Sequence, residues 1–293
     1  MTTRVRRRLG ATMCAVLAFT AGCSALRGGV PRPAAGLVIE RDLVYLQRGE
    51  QKLRADVYRP SDEGPFPGVL VVHGGSWQRG SKERMAATAA RLAERGYVAV
   101  AINYRLAPEN RFPAPLYDCQ EAVRWMRDNA ERLHVDPARI GGYGYSAGAH
   151  LVALLATTDA ADGFDEVAGA PDSQTRLQAA VLGAAPVDLQ QFIPNPAMTR
   201  LLGAWPSERP DVYALASPIT FVTPDDPPMF LYHGSSDWMV DVSQSRLMLA
   251  ALEGAGVPSG YYETPGGHFS TFLFDSGQVS RAIDFLDRWL KRA

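Results

Sequence analysis

The chain has 293 residues, of which 46% are hydrophobic and 21% are charged, a composition typical of soluble globular proteins. This length is enough for one large core and requires no second domain. The formal net charge is -1, and it becomes -5 without residues 1–22, which carry four arginines and no acid. A mildly acidic body argues against nucleic acid and anionic lipid as direct partners.

The N-terminus has the pattern of an export signal. A basic stretch through Arg8 precedes an uncharged, mainly apolar run over residues 9–22, shorter than the roughly 20 residues that span a bilayer. Small residues stand directly before Cys23, an arrangement that resembles a bacterial lipoprotein signal, whose cysteine is acylated and becomes the new N-terminus. We therefore expect a signal peptide at 1–22, lipid on Cys23, a flexible tether at 23–37 and an exported, membrane-anchored protein. Ordinary secretion is the alternative.

The pattern over residues 38–293 predicts one domain in which strands and helices alternate. It opens with two antiparallel strands, at 37–46 and 52–58, in which polar and apolar residues alternate. Nearly continuous apolar runs then predict strands buried on both faces, at 68–72, 98–104, 140–145, 177–182, 228–232 and 261–264. Helical patterns lie between these strands, at 82–95, 116–133, 147–157, 243–253 and 279–291. This alternation predicts an α/β fold with a mostly parallel central sheet and helices on both faces.

Two segments stand apart from this alternation. Residues 187–226 contain several prolines and aromatic residues with weak periodicity, and they are a candidate roof over the site. Cys119 falls among the apolar positions of the helix predicted at 116–133, so we expect a buried core thiol. Because Cys14 lies in the predicted signal and Cys23 in the predicted anchor, no disulfide is expected in the mature chain.

Residues 144–148 read Gly-Tyr-Ser-Ala-Gly, a G-x-S-x-G sequence centred on Ser146. An apolar strand pattern leads into it and a helix pattern rich in small residues follows, which is the strand, turn and helix of a nucleophile elbow. A side chain at Gly144 or Gly148 would collide across such a bend. A serine nucleophile also needs a base to remove its proton and donors to hold the oxyanion.

The base is sought among five histidines, His73, His134, His150, His233 and His268. His268 follows two glycines just after the last predicted strand, in a loop expected to reach Ser146. His150 is expected to pack or hydrogen-bond one turn along the helix from Ser146. His134 is expected on the surface, and His233, at the end of a strand, in a structural role. We therefore predict that His268 is the base.

The orienting acid is predicted to be Asp237, a loop carboxylate at the end of a predicted strand and 31 residues before His268. Asp241 is the rival, but it stands near the start of a helical pattern and is better explained as a cap. Oxyanion donors are expected in the sequence His-Gly-Gly-Ser-Trp at 73–77, directly after a buried strand. The predicted donors are the backbone amides of Gly74, Gly75, Ser76 and Ala147.

These motifs together resemble the α/β-hydrolase superfamily, and within it the esterase and lipase branch related to hormone-sensitive lipase and bacterial feruloyl-esterase-like proteins. The stretches that carry the resemblance are 56–60, 73–77, 103–109, 112–114, the Ser146 elbow, 216–218 and 233–237. The chain departs from the branch at Ser76, where a third glycine is common, and at Tyr145 and Ala149, where the branch often has Asp and Gly. Residues 74–77 also resemble the oxyanion motif of kynurenine formamidases.

The resemblance implies a serine carboxylesterase that forms an acyl-enzyme on a small-molecule ester and needs no metal or organic cofactor. The order nucleophile, acid, histidine along the chain is the order of an α/β-hydrolase. Two alternatives stay open: an arylformamidase that hydrolyses an N-formyl amide, and a catalytically silent hydrolase fold that serves as a binding protein. The sequence leaves the acyl group, the alcohol group and the oligomeric state open.

Overall fold

A computed structural model describes residues 36–164, 174–192, 195–274 and 276–291. In these ranges the strands are β1 (Leu37–Arg48), β2 (Gln51–Pro60), β3 (Phe66–Val72), β4 (Val98–Ile102), β5 (Val135–Tyr145), β6 (Ala180–Gly183), β7 (Met229–Gly234) and β8 (Ser259–Thr264). They form one sheet in the order β1-β2-β4-β3-β5-β6-β7-β8. The predicted signal peptide, Cys23 and nearly all of the predicted tether lie outside the described residues.

The helices lie on both faces of this sheet. They are α1 (Ala86–Glu94), α2 (Ala114–Asp128), α3 (Ala130–Leu133), α4 (Ala147–Thr157), α5 (Pro196–Leu202), α6 (Pro210–Leu215), α7 (Ser243–Gly254), α8 (His268–Phe274) and α9 (Ser276–Leu290). Apolar residues of α1 and α9 pack with one side of the strands, and those of α2, α4 and α7 with the other. Within the described ranges, no helix has the length and apolar character needed to cross a membrane.

The pairing of the strands confirms the predicted α/β fold. β1 and β2 form an antiparallel pair, β2 is antiparallel to β4, and the pairs from β4 to β8 are parallel. In β3, Val69 and Val71 lie in one core cluster and Leu70 and Val72 in the other. Successive residues of a strand point to opposite faces, so a strand covered on both sides is apolar throughout.

Several predicted boundaries are wrong. β5 was predicted to begin at residue 140, but it begins at Val135. Val135 and Asp136 pair with Phe66 and Pro67, and a register shift then leaves the next three residues without a pairing partner in β3. The helix predicted at 116–133 is divided into α2 and α3, and the pattern at 82–95 begins as a 3-10 turn before α1. His268, predicted in a flexible loop, is the first residue of α8.

The parallel strands bring four loops to one edge of the sheet. Residues 73–80, which we call the glycine loop, follow β3, and Ser146 follows β5. Asp237 comes three residues after β7 ends, and His268 four residues after β8 ends. In an open parallel sheet the carboxyl ends of the strands form the crevice in which ligands bind.

Candidate active site

Ser146 sits at a sharp turn between β5 and α4. Its backbone has φ 54° and ψ -124°, a strained conformation for a residue with a side chain. A Cβ on Gly144 would lie 2.4 Å from the carbonyl oxygen of Gly148, and a Cβ on Gly148 would lie 2.2 Å from that of Val72. The two glycines are therefore required by contact across the bend, and the turn presents a half-buried serine at the edge of the sheet.

Ser146, His268 and Asp237 form a continuous chain of hydrogen bonds. His268 Nε2 lies 2.9 Å from Ser146 Oγ, and His268 Nδ1 lies 2.6 Å from Asp237 Oδ2. An ionised carboxylate only accepts, so Nδ1 carries the proton of the ring and Nε2 is left to accept the proton of the serine hydroxyl. His268 is 4% exposed and Asp237 7%, so the inner part of the chain is shielded from water. This arrangement places His268 Nε2 within hydrogen-bond distance of the hydroxyl of Ser146.

Asp237 is held by more than His268. Its Oδ1 accepts from the backbone amides of Met239 at 2.9 Å and Val240 at 3.0 Å. The buried ring of His233 lies with Nε2 3.4 Å from Asp237 Oδ2. Burial acts to raise the pKa of Asp237, but the hydrogen bonds from His233 and His268 hold the pKa well below its ordinary value. The carboxylate therefore stays ionised.

His233 is itself fixed by two further bonds. Its Nδ1 lies 2.7 Å from Ser245 Oγ and its Nε2 lies 2.9 Å from the carbonyl oxygen of Val240. The sequence suggested a structural role for His233, and the structure brings it against the carboxylate of Asp237. Asp241, the rival acid, is exposed and accepts from the amide of Ser243 at 2.8 Å, at the start of α7.

The glycine loop lies directly against the turn at Ser146. A Cβ on Gly74 would be 3.1 Å from Ser146 Cβ and 2.7 Å from the carbonyl oxygen of Tyr145, so only glycine allows this approach. Gly75 has φ +136°, and a Cβ there would lie 1.8 Å from the carbonyl oxygen of Arg79. Of the residues predicted from the sequence, Gly74 is thus beside the nucleophile, and Gly75 and Ser76 come next in the same loop.

Several backbone amides near Ser146 have no partner among the backbone carbonyls of the described residues. In the described chain no backbone carbonyl accepts from the amides of Gly75, Ser76 or Ala147. Ala147 is the first residue of α4, and the first amides of a helix have no partner within it. Such free donors at a helix N-terminus favour a negative charge. Of the four predicted donors, Gly74 packs against Ser146 and Ala147 directly follows it, while Gly75 and Ser76 follow Gly74 in the glycine loop.

His150 has the buried, hydrogen-bonded position that the sequence predicted. It is fully buried one turn after Ser146, and its ring nitrogens bond Trp77 Nε1 at 3.1 Å and the carbonyl oxygen of Ala216 at 2.7 Å.

The candidate roof contains α5 and α6, and it contacts the glycine loop where Arg200 donates to Gln78 Oε1 at 2.8 Å. Cys119 is a buried free thiol, as predicted. Among the described residues no group of three His, Cys, Asp or Glu is placed to hold a metal ion.

The fold and the crevice define the class, an α/β-hydrolase fold, and solved structures agree. A structure titled "Truncated form of carbohydrate esterase from gut microbiota" superposes with a TM-score of 0.77 at 26% identity and covers 89% of this chain and 99% of that one. Apo esterase 2 of Thermogutta terrifontis has the same fold, with a TM-score of 0.72 at 24% identity, covering 89% of this chain and 96% of that one. The fold predicted from the sequence is confirmed.

Sequence comparison gives the family. Residues 55–252 match the family model described as BD-FAE. The chain is 33% identical to the probable carboxylic ester hydrolase LipM of Mycobacterium tuberculosis over 85% of this chain and 60% of that protein. It is 32% identical to esterase LipQ of the same organism over 84% of this chain and 61% of that protein. The chain therefore belongs to the BD-FAE family, and it spans about six tenths of the length of these two relatives.

Proposed function

We propose that the protein is a serine hydrolase of carboxylic esters that works through an acyl-enzyme. The observation that carries the proposal is the chain from Ser146 Oγ through His268 to Asp237, at 2.9 and 2.6 Å, beside free backbone amides. The printed names of the relatives, carboxylic ester hydrolase and esterase, support the same chemistry. A carbohydrate esterase among the similar structures supports an ester substrate as well.

In the proposed first step Ser146 Oγ attacks the carbonyl carbon of the ester and its proton passes to His268 Nε2. The carbonyl oxygen becomes an oxyanion, which the amides of Gly74, Gly75, Ser76 and Ala147 are proposed to hold. The bond from the carbonyl carbon to the alcohol oxygen then breaks, and His268 returns the proton to the departing alcohol. The serine is left as an acyl ester.

In the second step a water molecule replaces Ser146 Oγ as the nucleophile. His268 Nε2 accepts a proton from the water, whose oxygen attacks the acyl carbon, and the proton then returns to Ser146 Oγ as the carboxylic acid leaves. The ionised Asp237 stabilises the imidazolium formed in both steps, and its bond to Nδ1 keeps the reactive tautomer. Water and ester are the only reactants in this cycle.

Turnover of p-nitrophenyl esters of rising acyl length tests the proposal and defines the acyl preference. Ser146→Ala and His268→Ala should each lower kcat by about 10³-fold or more, because triad members act as a unit. His134→Ala is a suitable control, since its ring bonds the carbonyl oxygen of Glu63 away from the crevice. A Ser146→Ala protein that keeps a tenth of the wild-type kcat would contradict the assignment. Turnover of an N-formyl anilide but not of esters would favour the formamidase alternative.

We also propose that the protein is exported and anchored to a membrane of the cell envelope by lipid on Cys23. Support comes from the basic, apolar and small-residue pattern of residues 1–22. Acyl chains contribute about 0.8 kcal/mol per buried methylene, and stable anchoring takes more than one chain. Wild-type protein should therefore leave membranes only with detergent, whereas Cys23→Ser should be soluble or unprocessed. Unmodified wild-type protein in the soluble fraction, identified by mass spectrometry of its N-terminus, would leave secretion as the explanation.

A further inference from the structure

Trp77 and His150 connect the glycine loop to the helix that follows the nucleophile, and neither takes part in the proposed proton path. The indole Nε1 of Trp77 donates to His150 Nδ1 at 3.1 Å, and the two rings meet edge to face with centroids 5.1 Å apart. Trp77 is 5% exposed and His150 is fully buried. The contact joins residues 73 positions apart in the chain.

The glycine loop needs such support because its backbone is strained. Ser76 has φ 54° and Trp77 has φ 58°, so two successive residues with side chains adopt the left-handed region. Each such residue costs about 1 kcal/mol or more, and the conformation persists only where surrounding contacts impose it. The carbonyl oxygen of Trp77 accepts from the amide of Ala107 at 2.9 Å, which fixes the backbone on one side. The indole side chain of Trp77 holds the loop from the side of α4, in addition to the bond from Gln78 Nε2 to the carbonyl oxygen of Ser76 at 3.1 Å.

His150 is a rigid partner for that indole. Its backbone amide donates to the carbonyl oxygen of Ser146 at 3.0 Å, so it belongs to the first turn after the nucleophile. The indole can only donate, so His150 Nδ1 must accept and the ring proton must be on Nε2, where it donates to the carbonyl oxygen of Ala216 at 2.7 Å. Both ring nitrogens are used, and one tautomer satisfies both bonds.

We propose that His150 is a positioning residue which, through Trp77, holds the amides of the glycine loop where the oxyanion forms. This inference rests on the proposed ester hydrolysis. His150 touches neither substrate nor reacting atoms; it acts on Ser76 and Gly75 through the indole of the next residue in the loop. Its effect should therefore appear where the amides act, which is in the transition state.

The kinetic signature follows from that placement. A ground-state carbonyl needs the amides less than the oxyanion does, so loosening the loop should lower kcat and leave KM nearly unchanged. Loss of one oxyanion donor in a serine hydrolase costs about 10²- to 10³-fold in kcat. Misplacing the loop without removing an amide should cost less, about 10- to 100-fold.

Two substitutions of similar shape separate the hydrogen bond from the volume of the ring. In His150→Asn the side-chain oxygen takes the place of Nδ1 and still accepts from Trp77, whereas His150→Leu has no acceptor. His150→Leu should lose about 10- to 100-fold in kcat on p-nitrophenyl acetate, and His150→Asn should stay within about fivefold of wild type. Trp77→Phe removes the hydrogen-bond donor, so its kcat should fall by about as much as that of His150→Leu. When Trp77→Phe is also present, His150→Asn and His150→Leu should have the same kcat.

Thr157→Val is the matched control. Thr157 lies further along α4, is buried, and its hydroxyl lies 3.3 Å from the carbonyl oxygen of Pro218, in the same segment that His150 contacts. It has no bond to the glycine loop among the described residues. Thr157→Val should lower the melting temperature and leave kcat unchanged. A trifluoromethyl ketone, which forms a tetrahedral oxyanion on the serine, should lose affinity for the His150 variants in proportion to kcat/KM.

The outcomes separate the inference from the function on which it rests. An active wild type whose His150→Leu and Trp77→Phe variants keep full kcat, with only a lower melting temperature, would overturn the positioning role and leave the ester hydrolase intact. If His150→Leu does not fold, Trp77→Phe alone decides by the same criterion. A wild type inactive on all esters would overturn both proposals. Loss in kcat that His150→Asn restores supports the inference.

Discussion

Lowering the pH from 7 to 5 should destabilise the protein through the buried ring of His150. The Nδ1 atom of this ring accepts from an indole that can only donate, so a proton on Nδ1 would break the bond to Trp77 and leave a charge in the core. Burial lowers the pKa of His150 to about 4 from its ordinary 6.5, against the opposing effect of the bond to Ala216. The native protein therefore keeps this histidine neutral where the unfolded chain protonates it.

The size of the effect follows from the two pKa values. Above pH 6.5 both states are neutral and His150 adds no pH dependence. Between pH 6.5 and pH 4 the unfolded chain binds one more proton, so the free energy of unfolding falls by about 1.4 kcal/mol for each pH unit. At pH 5 the loss is about 2 kcal/mol, and by pH 4 it approaches 3 kcal/mol.

Urea unfolding of wild type and His150→Asn at pH 7 and pH 5 measures this loss. Asn does not titrate, so the wild type should lose about 2 kcal/mol more than the variant over this interval. Leu151→Val is the control, because Leu151 is also fully buried in α4. This variant should have a lower free energy of unfolding at both pH values, and that free energy should depend on pH as it does in wild type. Equal losses in wild type and His150→Asn would refute the reasoning.

Two further predictions concern Asp237 and the elbow glycines. Asp237→Asn should lower kcat by about 10⁴-fold with little change in melting temperature, because an amide that donates to His268 Nδ1 favours the wrong tautomer; a change below tenfold would refute the orienting role. Gly148→Ala should prevent folding or cost several kcal/mol in urea unfolding, since its Cβ would lie 2.2 Å from a backbone oxygen. Gly254→Ala, with nothing within 4 Å, should instead stabilise by about 0.5 kcal/mol; equal effects would contradict the steric argument.

The nucleophile turn and the parallel sheet were predictable because their signals are local. Apolar runs mark strands covered on both faces, and the glycines around Ser146 mark a turn in which backbone atoms touch. The start of β5 was predicted at residue 140 and lies at Val135, because Pro137 falls inside the strand and proline is rare within paired strands. Here a register shift places it where the pairing with β3 is interrupted.

The helix α8 and the histidine network were hidden because they depend on distant contacts. The segment after His268 contains aromatic and β-branched residues with low helix propensity, and Phe272 packs on the ring of Tyr145 with centroids 4.7 Å apart. The bonds of His150 span 73 and 66 residues. No local pattern contains the partner of such a residue, so the sequence indicated a bonding role for His150 without its partners.

The site consists of two parts that are built differently. Ser146 and the glycine loop are joined by backbone packing, because Gly148 and Gly74 bring α4, β5 and the end of β3 into direct contact. Asp237 lies in the loop after β7, and His268 begins α8 directly after the turn that follows β8. Backbone hydrogen bonds join these two segments, from Ser236 to the carbonyl oxygen of Gly266 at 3.0 Å and from Ser235 to that of Thr264 at 2.7 Å.

Among the described residues, the contacts between these two parts include the bond from Ser146 to His268 and the bond from the Tyr145 hydroxyl to the carbonyl oxygen of His268. The ring of Tyr145 also packs with the rings of His268 and Phe272. The first part contains the groups proposed to carry the charge of the oxyanion, and the second contains those proposed to move the proton. A substitution of Phe272 should therefore change the distance between Ser146 Oγ and His268 Nε2 and slow proton transfer. A transition-state analogue held by the backbone amides should still bind to that variant.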